Sequence, residues 1–182
     1  MKQIFLIGHK AEAGKDSTAN FLRTKLNGNL LVIHFADYIK TIAKDYLKWN
    51  GEKDEVGRSL LQFLGSEKVK FELKKDLYWV ERVCDIIEIT QDKYNYFAVS
   101  DLRFLSEVYY TLAKFPYNVT TIDVTRLNYE NRLTKSQRNH ISEIELDNFK
   151  FDYNIISENG LDKLEIEVDK FVDWYKEKEK NN

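Results

Sequence analysis

Four apolar residues, Ile4-Phe5-Leu6-Ile7, run directly into Gly8-His9-Lys10-Ala11-Glu12-Ala13-Gly14-Lys15-Asp16-Ser17, and a helical pattern follows over 18–26. A buried strand, a loop of small residues, a lysine and a helix start, in that order, are the parts of a phosphate-binding P-loop on an α/β sheet. The reason is electrostatic. Backbone N–H groups of the loop, the positive end of the helix and one ammonium surround a single point, which suits a polyphosphate. Gly14 permits close backbone approach and Lys15 can reach the β- and γ-phosphates. Gly8, Lys10, Ala13, Gly14, Lys15, Asp16 and Ser17 are therefore the candidate nucleotide-loop residues. Five residues, where the usual pattern has four, separate Gly8 from Gly14, and Asp16 stands where a Ser or Thr is usual. A carboxylate beside a triphosphate is repelled unless Mg²⁺ or water intervenes. Asp16 is thus expected on the metal side, through water, with Ser17 on the α-phosphate. Alternatively, Asp16 only stabilises the first helical turn.

The rest of the chain alternates in the same way. Short apolar runs rich in β-branched and aromatic residues predict strands at 3–7, 30–35, 96–100, 119–125 and 153–157. Between them, helical faces are formed by Ile39, Ile42, Ala43 and Tyr46, by Leu60, Leu61 and Leu64, and by Trp79, Val80, Val83 and Ile87. The last helix carries Leu161, Leu164, Val168, Phe171 and Tyr175 over a charged opposite side. Such alternation implies an open, mostly parallel five-stranded sheet covered on both faces, a single α/β domain over 1–182. The polar tail from Lys176 to Asn182 is expected to fray.

Ligands on such sheets sit at the carboxyl ends of the strands. The second predicted strand ends in Phe35-Ala36-Asp37 with Lys40 beyond; Asp37 is either a helix cap or part of an acceptor pocket. The third ends in Ser100-Asp101-Leu102-Arg103-Phe104. Asp101 suits a magnesium-side acid and Arg103 a fork on phosphate oxygens, against the plainer reading of a cap and a surface arginine. Arg126, Arg132, Lys135 and Arg138 accumulate in a polar segment, the beginning of a candidate lid over about 126–146 or simply a solvated loop. His34 is expected in the core or the pocket, His9 in a steric role within the loop, and His140 at a capped helix start. Cys84 falls in an apolar pattern and reads as buried filler.

Composition removes several alternatives. With 28 Lys+Arg against 30 Asp+Glu, no bulk polyanion or membrane surface is indicated as partner, and nucleic acid is not expected. One cysteine fits a reducing compartment, and no apolar run resembles a signal peptide or membrane span, so a cytoplasmic location is expected. The aromatic content leaves room for a homodimer face as well as a core.

Taken in order, several blocks resemble the phage-type deoxynucleoside monophosphate kinases: Gly14-Lys15-Asp16-Ser17, Phe35-Ala36-Asp37 with Lys40, and Arg58-Ser59-Leu60-Leu61-Gln62 with Gly65-Ser66. Tyr78-Trp79-Val80, Ser100-Asp101-Leu102-Arg103-Phe104, His140-Ile141-Ser142-Glu143 and the stretch from Tyr153-Asn154 to Asn159-Gly160 continue the resemblance along nearly the whole chain. It implies a three-layer P-loop kinase fold that moves the ATP γ-phosphoryl group to a deoxynucleoside monophosphate with Mg²⁺, in the host cytoplasm if phage-encoded. Lys15, Asp101, Arg103 and Arg126 would then be catalytic. Asp37, Lys40, Arg58, Gln62, Trp79, His140 and Glu143 would serve the acceptor, and Asp16, Ser17 and Asp101 the metal. Phosphomevalonate and dephospho-coenzyme A kinases share some of these features, so another small phosphorylated acceptor is the alternative. A nucleotide-binding switch is a further one. The chain departs from the family in the extra loop residue and in a middle region shorter than some members carry.

Overall fold

The computed structural model describes residues 2–27, 29–116 and 118–180. Five strands, β1 (Gln3–Gly8), β2 (Leu30–Ile33), β3 (Tyr96–Leu102), β4 (Val119–Arg126) and β5 (Tyr153–Ser157), form one sheet in the order β2-β3-β1-β4-β5. Every neighbouring pair is parallel. The helices are α1 (Lys15–Lys25), α2 (Ala36–Leu47), α3 (Glu55–Gln62), α4 (Tyr78–Thr90), α5 (Leu105–Lys114), α6 (Lys135–Arg138), α7 (Ile141–Ile144) and α8 (Leu161–Lys180). All five predicted strands are present, four of them with shifted ends. β2 stops at Ile33, so His34 and Phe35 form the turn into α2, and β3 runs on to Leu102, so Asp101 is its penultimate residue.

The two-residue period of β1 divides the molecule. Ile4 and Leu6 enter a core with Phe97 and Val99, covered by α2, α4 and α5 through Ile39, Ala43, Trp79, Val83 and Val108. Phe5 and Ile7 enter the opposite core with Ala98 and Ile122, covered by α1 and α8 through Leu22, Val168 and Phe171. β1 is buried along its length because both faces are covered. Cys84 is buried in the first core, where desolvation pushes its thiol up to about 11, as expected of apolar filler.

Three expectations change. Leu60, Leu61 and Leu64, expected on one ordinary helical face, are divided between α3 and a π-wound continuation over Phe63–Glu72. This wider turn leaves room for the Trp79 indole N–H to reach the Gly65 carbonyl at 3.0 Å. Tyr46, expected on the buried face of α2, is 77 % exposed. Trp49 packs on that core instead, its backbone N–H returning to Ala43 O at 2.9 Å where the helix ends. The C-terminal tail continues α8 as far as Lys180; residues 181 and 182 lie outside the described residues. Among the described residues no helix is long and apolar enough to cross a membrane.

Candidate active site

At the carboxyl ends of β1 and β3 a cavity of about 730 Å³ opens between the loop 9–14, the start of α2, the helix pair α3–π segment and the ends of β4 and β5. This is the crevice where the chain order of the sheet reverses, since β1 connects to β2 on one side and β4 lies on the other.

The loop leaves β1 at Gly8, which is a packing position. A Cβ there would lie 3.3 Å from both Leu102 O and the Phe151 ring. Gly14 has φ +105°, a left-handed conformation that favours glycine, and it delivers α1 with Lys15 in its first turn. Lys15 is 7 % exposed and donates to Lys10 O. Burial pushes its ammonium down to about 7; Arg103 adds to the shift, and Glu143, Asp101 and Asp16 oppose it.

Behind the lysine, Arg103 donates to His9 O at 2.6 Å and pairs with Glu143 at 2.7 Å. The other Glu143 oxygen accepts from Ala11 N at 2.9 Å, so this buried carboxylate ties the loop to β3 and α7. Asp16 accepts from Ser100 Oγ at 2.6 Å and faces His34 Nε2 at 3.3 Å; His34 Nδ1 lies 3.1 Å from Asp37. Held between two carboxylates, His34 is raised to about 10 against its partial burial. The hydrogen bond to His34 holds Asp16 far below the usual carboxylate range, burial opposing and Ser100 assisting. Burial also opposes ionisation of Asp37, but His34 and Lys40 outweigh it and bring it down to about 2. An imidazolium thus offsets the negative charge that the sequence places beside the loop.

Asp101 accepts from Phe35 N at 2.8 Å and Ala36 N at 3.0 Å, fastening β3 to the start of α2. Asp37 caps in the reverse sense, accepting from His34 N at 3.0 Å, and holds Lys40 at 2.9 Å. Ile39, Leu61, Gln62, Gly65, Trp79 and Phe104 also line the cavity. Beneath them Lys70 and Glu107 form a buried pair 3.8 Å apart. Lys70 sits 4.0 Å over the Phe104 ring, and Glu107 accepts from Arg103 N and Phe104 N. Burial pushes Glu107 up to about 7, with the Lys70 charge pulling the other way.

The cavity therefore gathers Ala13, Gly14, Lys15, Asp16, Ser17, Lys40, Arg58, Gln62, Trp79, Asp101, Arg103, Arg126 and Glu143 from seven stretches of sequence. Gly8, Lys10, Asp37 and His140 do not line it. Lys10 is pinned to Glu143 O at 2.6 Å and to Asp147, and His140 caps α7 and meets Glu67 at 3.1 Å. Of the basic segment, Arg126 lines the cavity, whereas Arg132, Lys135 and Arg138 are exposed, Arg138 paired with Glu130 at 3.0 Å. Residue patterns also missed Glu12, Lys53, Lys70 and Glu107 as lining residues.

A magnesium ion bound with a nucleotide needs only one or two carboxylates besides the phosphates. Among the described residues no group of three or more His, Cys, Asp or Glu could hold a metal alone, but Asp16 and Ser17 at the loop fit that lesser demand.

No protein-family model matches the sequence, and no curated protein matches it. Solved structures do. A thymidylate kinase from Candida albicans superposes with TM-score 0.55 at 14 % identity, covering 96 % of this chain and 92 % of its own. A dephospho-CoA kinase from Campylobacter jejuni does so with TM-score 0.54 at 13 % identity, covering 94 % and 96 %. The chain has the α/β fold of these P-loop kinases. At such identities the likeness concerns the fold, and the site must speak for the chemistry.

Proposed function

We propose that the chain is an ATP-dependent phosphotransferase acting on a deoxynucleoside monophosphate. The observation that carries this reading is one cavity lined by two sets of cations: Lys15 at the head of α1, and Lys40 with Arg58 from α2 and α3, together with apolar and aromatic side chains. A nucleotide switch needs only the first. The fold is also that of proteins named as a thymidylate kinase and a dephospho-CoA kinase. The second of these favours, as the competing reading, another small phosphorylated acceptor.

No general base is required. The acceptor phosphate is already largely ionised near neutral pH, and one of its oxygens attacks the γ-phosphorus in line. The new P–O bond forms as the bond from the γ-phosphorus to its bridging oxygen breaks, leaving ADP. Lys15, Arg103 and Arg126 neutralise charge spreading over the transferring group, while Lys40 and Arg58 hold the acceptor phosphate. Magnesium, held by Asp16 and Ser17 with the ATP phosphates, would supply further neutralisation. Closure excludes water, which would otherwise divert the reaction to hydrolysis.

An ADP-release assay against deoxynucleoside and nucleoside monophosphates, dephospho-coenzyme A and phosphomevalonate tests the reading. Acceptor-dependent ADP is expected with a deoxynucleoside monophosphate. Lys15→Ala should abolish it while the circular dichroism spectrum stays that of the native protein. Silence across the panel, or normal turnover by folded Lys15→Ala, would refute the assignment.

A further inference from the structure

Glu12 of the loop lines the cavity. Glu12 has φ +59°, a left-handed conformation unusual for a residue with a side chain. Its carboxylate is held from three directions. Arg58 Nη2 reaches Oε1 at 2.5 Å, and Oε2 accepts from Tyr129 OH at 2.8 Å and from Arg132 N at 3.1 Å. Burial alone would raise its pKa, but the Arg132 amide, the Tyr129 hydroxyl and the arginine charges together lower it. Glu12 therefore stands ionised between α3 and the segment after β4.

Arg58 has one other anchor, its Nε donating to Lys53 O at 2.9 Å. A guanidinium at the wall of a 730 Å³ cavity has many rotamers open to it, and an acceptor phosphate gains most from one already oriented. A carboxylate that is itself fixed by two further donors supplies that orientation.

Resting on the proposed phosphoryl transfer, we infer that Glu12 is a positioning residue: this loop carboxylate orients Arg58 for the acceptor phosphate, with Tyr129 and the Arg132 amide holding Glu12 in place. Its action is on the acceptor, through Arg58.

Glu12→Gly is the informative variant, because glycine adopts the left-handed backbone without cost and removes only the side chain. Loss of one charge-assisted hydrogen bond should raise the acceptor KM about tenfold. ATP affinity, read by calorimetry, should change less than about twofold, since the loop backbone is kept. Glu12→Gln, which keeps length without charge, should fall between and carries the same test if the glycine variant does not fold. Combined with Arg58→Gln, Glu12→Gly should add nothing to the loss caused by Arg58→Gln alone. Unchanged acceptor KM, or losses that multiply in the double variant, would overturn the inference. Its fate is separable from that of the kinase reading through the Arg58 Nη–H resonances, which report the contact to Glu12 without turnover. A sharp, slowly exchanging wild-type signal that is lost in Glu12→Gly supports the positioning role even if every acceptor fails. A signal indifferent to the substitution refutes it.

Discussion

Lys15 sits among backbone atoms at the mouth of a helix and is buried, so its charge is costly until an anion arrives. With its pKa pushed down to about 7, it is largely charged below that pH and increasingly neutral above. A bound polyphosphate reverses the balance, because opposite charge beside an ammonium favours the protonated form. Nucleotide binding is therefore expected to take up protons, little at pH 6 and approaching one per site near pH 9. Calorimetric titration in buffers of different ionisation heat measures that number directly. A value that stays at zero from pH 6 to 9 would mean that Lys15 is fully charged in the empty protein. Lys15, Asp101 and Arg103 were legible in the sequence because strand ends and the Gly-Lys pair announce them locally. The role of Glu12 was not. Its partners Arg58, Tyr129 and Arg132 lie 46, 117 and 120 positions away, and nothing in a local pattern specifies such distant contacts. His34 was expected in the core or pocket, yet its place between Asp16 and Asp37 depends on β2 ending two residues earlier than its apolar run.

The elements divide in the same way. Strands were readable because β-branched and aromatic runs survive burial on both faces of a parallel sheet. The π-wound continuation of α3 was not, since Leu60, Leu61 and Leu64 fit an ordinary helical face and the change of winding begins at Phe63. What holds that segment against α5 is the buried Lys70–Glu107 pair, with Glu107 also capping the first turn of α5. Removing the cation while leaving the carboxylate should be costly, because a buried charge without its partner loses about 3 to 5 kcal/mol. Lys70→Met is expected to show a loss of that order at pH 8. At pH 5 the loss should be clearly smaller. Glu107 has a folded pKa raised to about 7, so its burial penalty is absent below its unfolded value, grows as pH rises from there through 7, and is complete above. Taking away Lys70 raises the folded pKa further and widens that window. Urea unfolding at the two pH values decides the matter; an equal loss at both would show that the pair contributes packing alone.

At the scale of the whole molecule, two cores share one sheet, and the cavity lies where the strands that divide them end. The core under α1 and α8 supports the glycine loop; the core under α2, α4 and α5 supports the apolar wall of the cavity. Because the side chains of β1 and β3 alternate between the two, neither core can come apart without exposing the strands that line the other. Folding should therefore be one cooperative event rather than two. The tryptophans can report this, since Trp49 and Trp79 pack on the core under α2, α4 and α5 and Trp174 on the other. Phe171 is fully buried on the Trp174 side, edge-on to Phe5 at 5.7 Å and to Tyr153 at 5.1 Å. Phe171→Ala should cost about 3 to 5 kcal/mol through lost burial and the cavity left behind. In a Trp174→Phe background the remaining fluorescence comes from the opposite face of the sheet, yet its urea midpoint should fall by the full amount of that destabilisation and coincide with the circular dichroism transition. Should the Trp49 and Trp79 signal instead keep its original midpoint while ellipticity is lost earlier, the two layers fold independently. The site between them would then be assembled by docking of two units rather than carried by one.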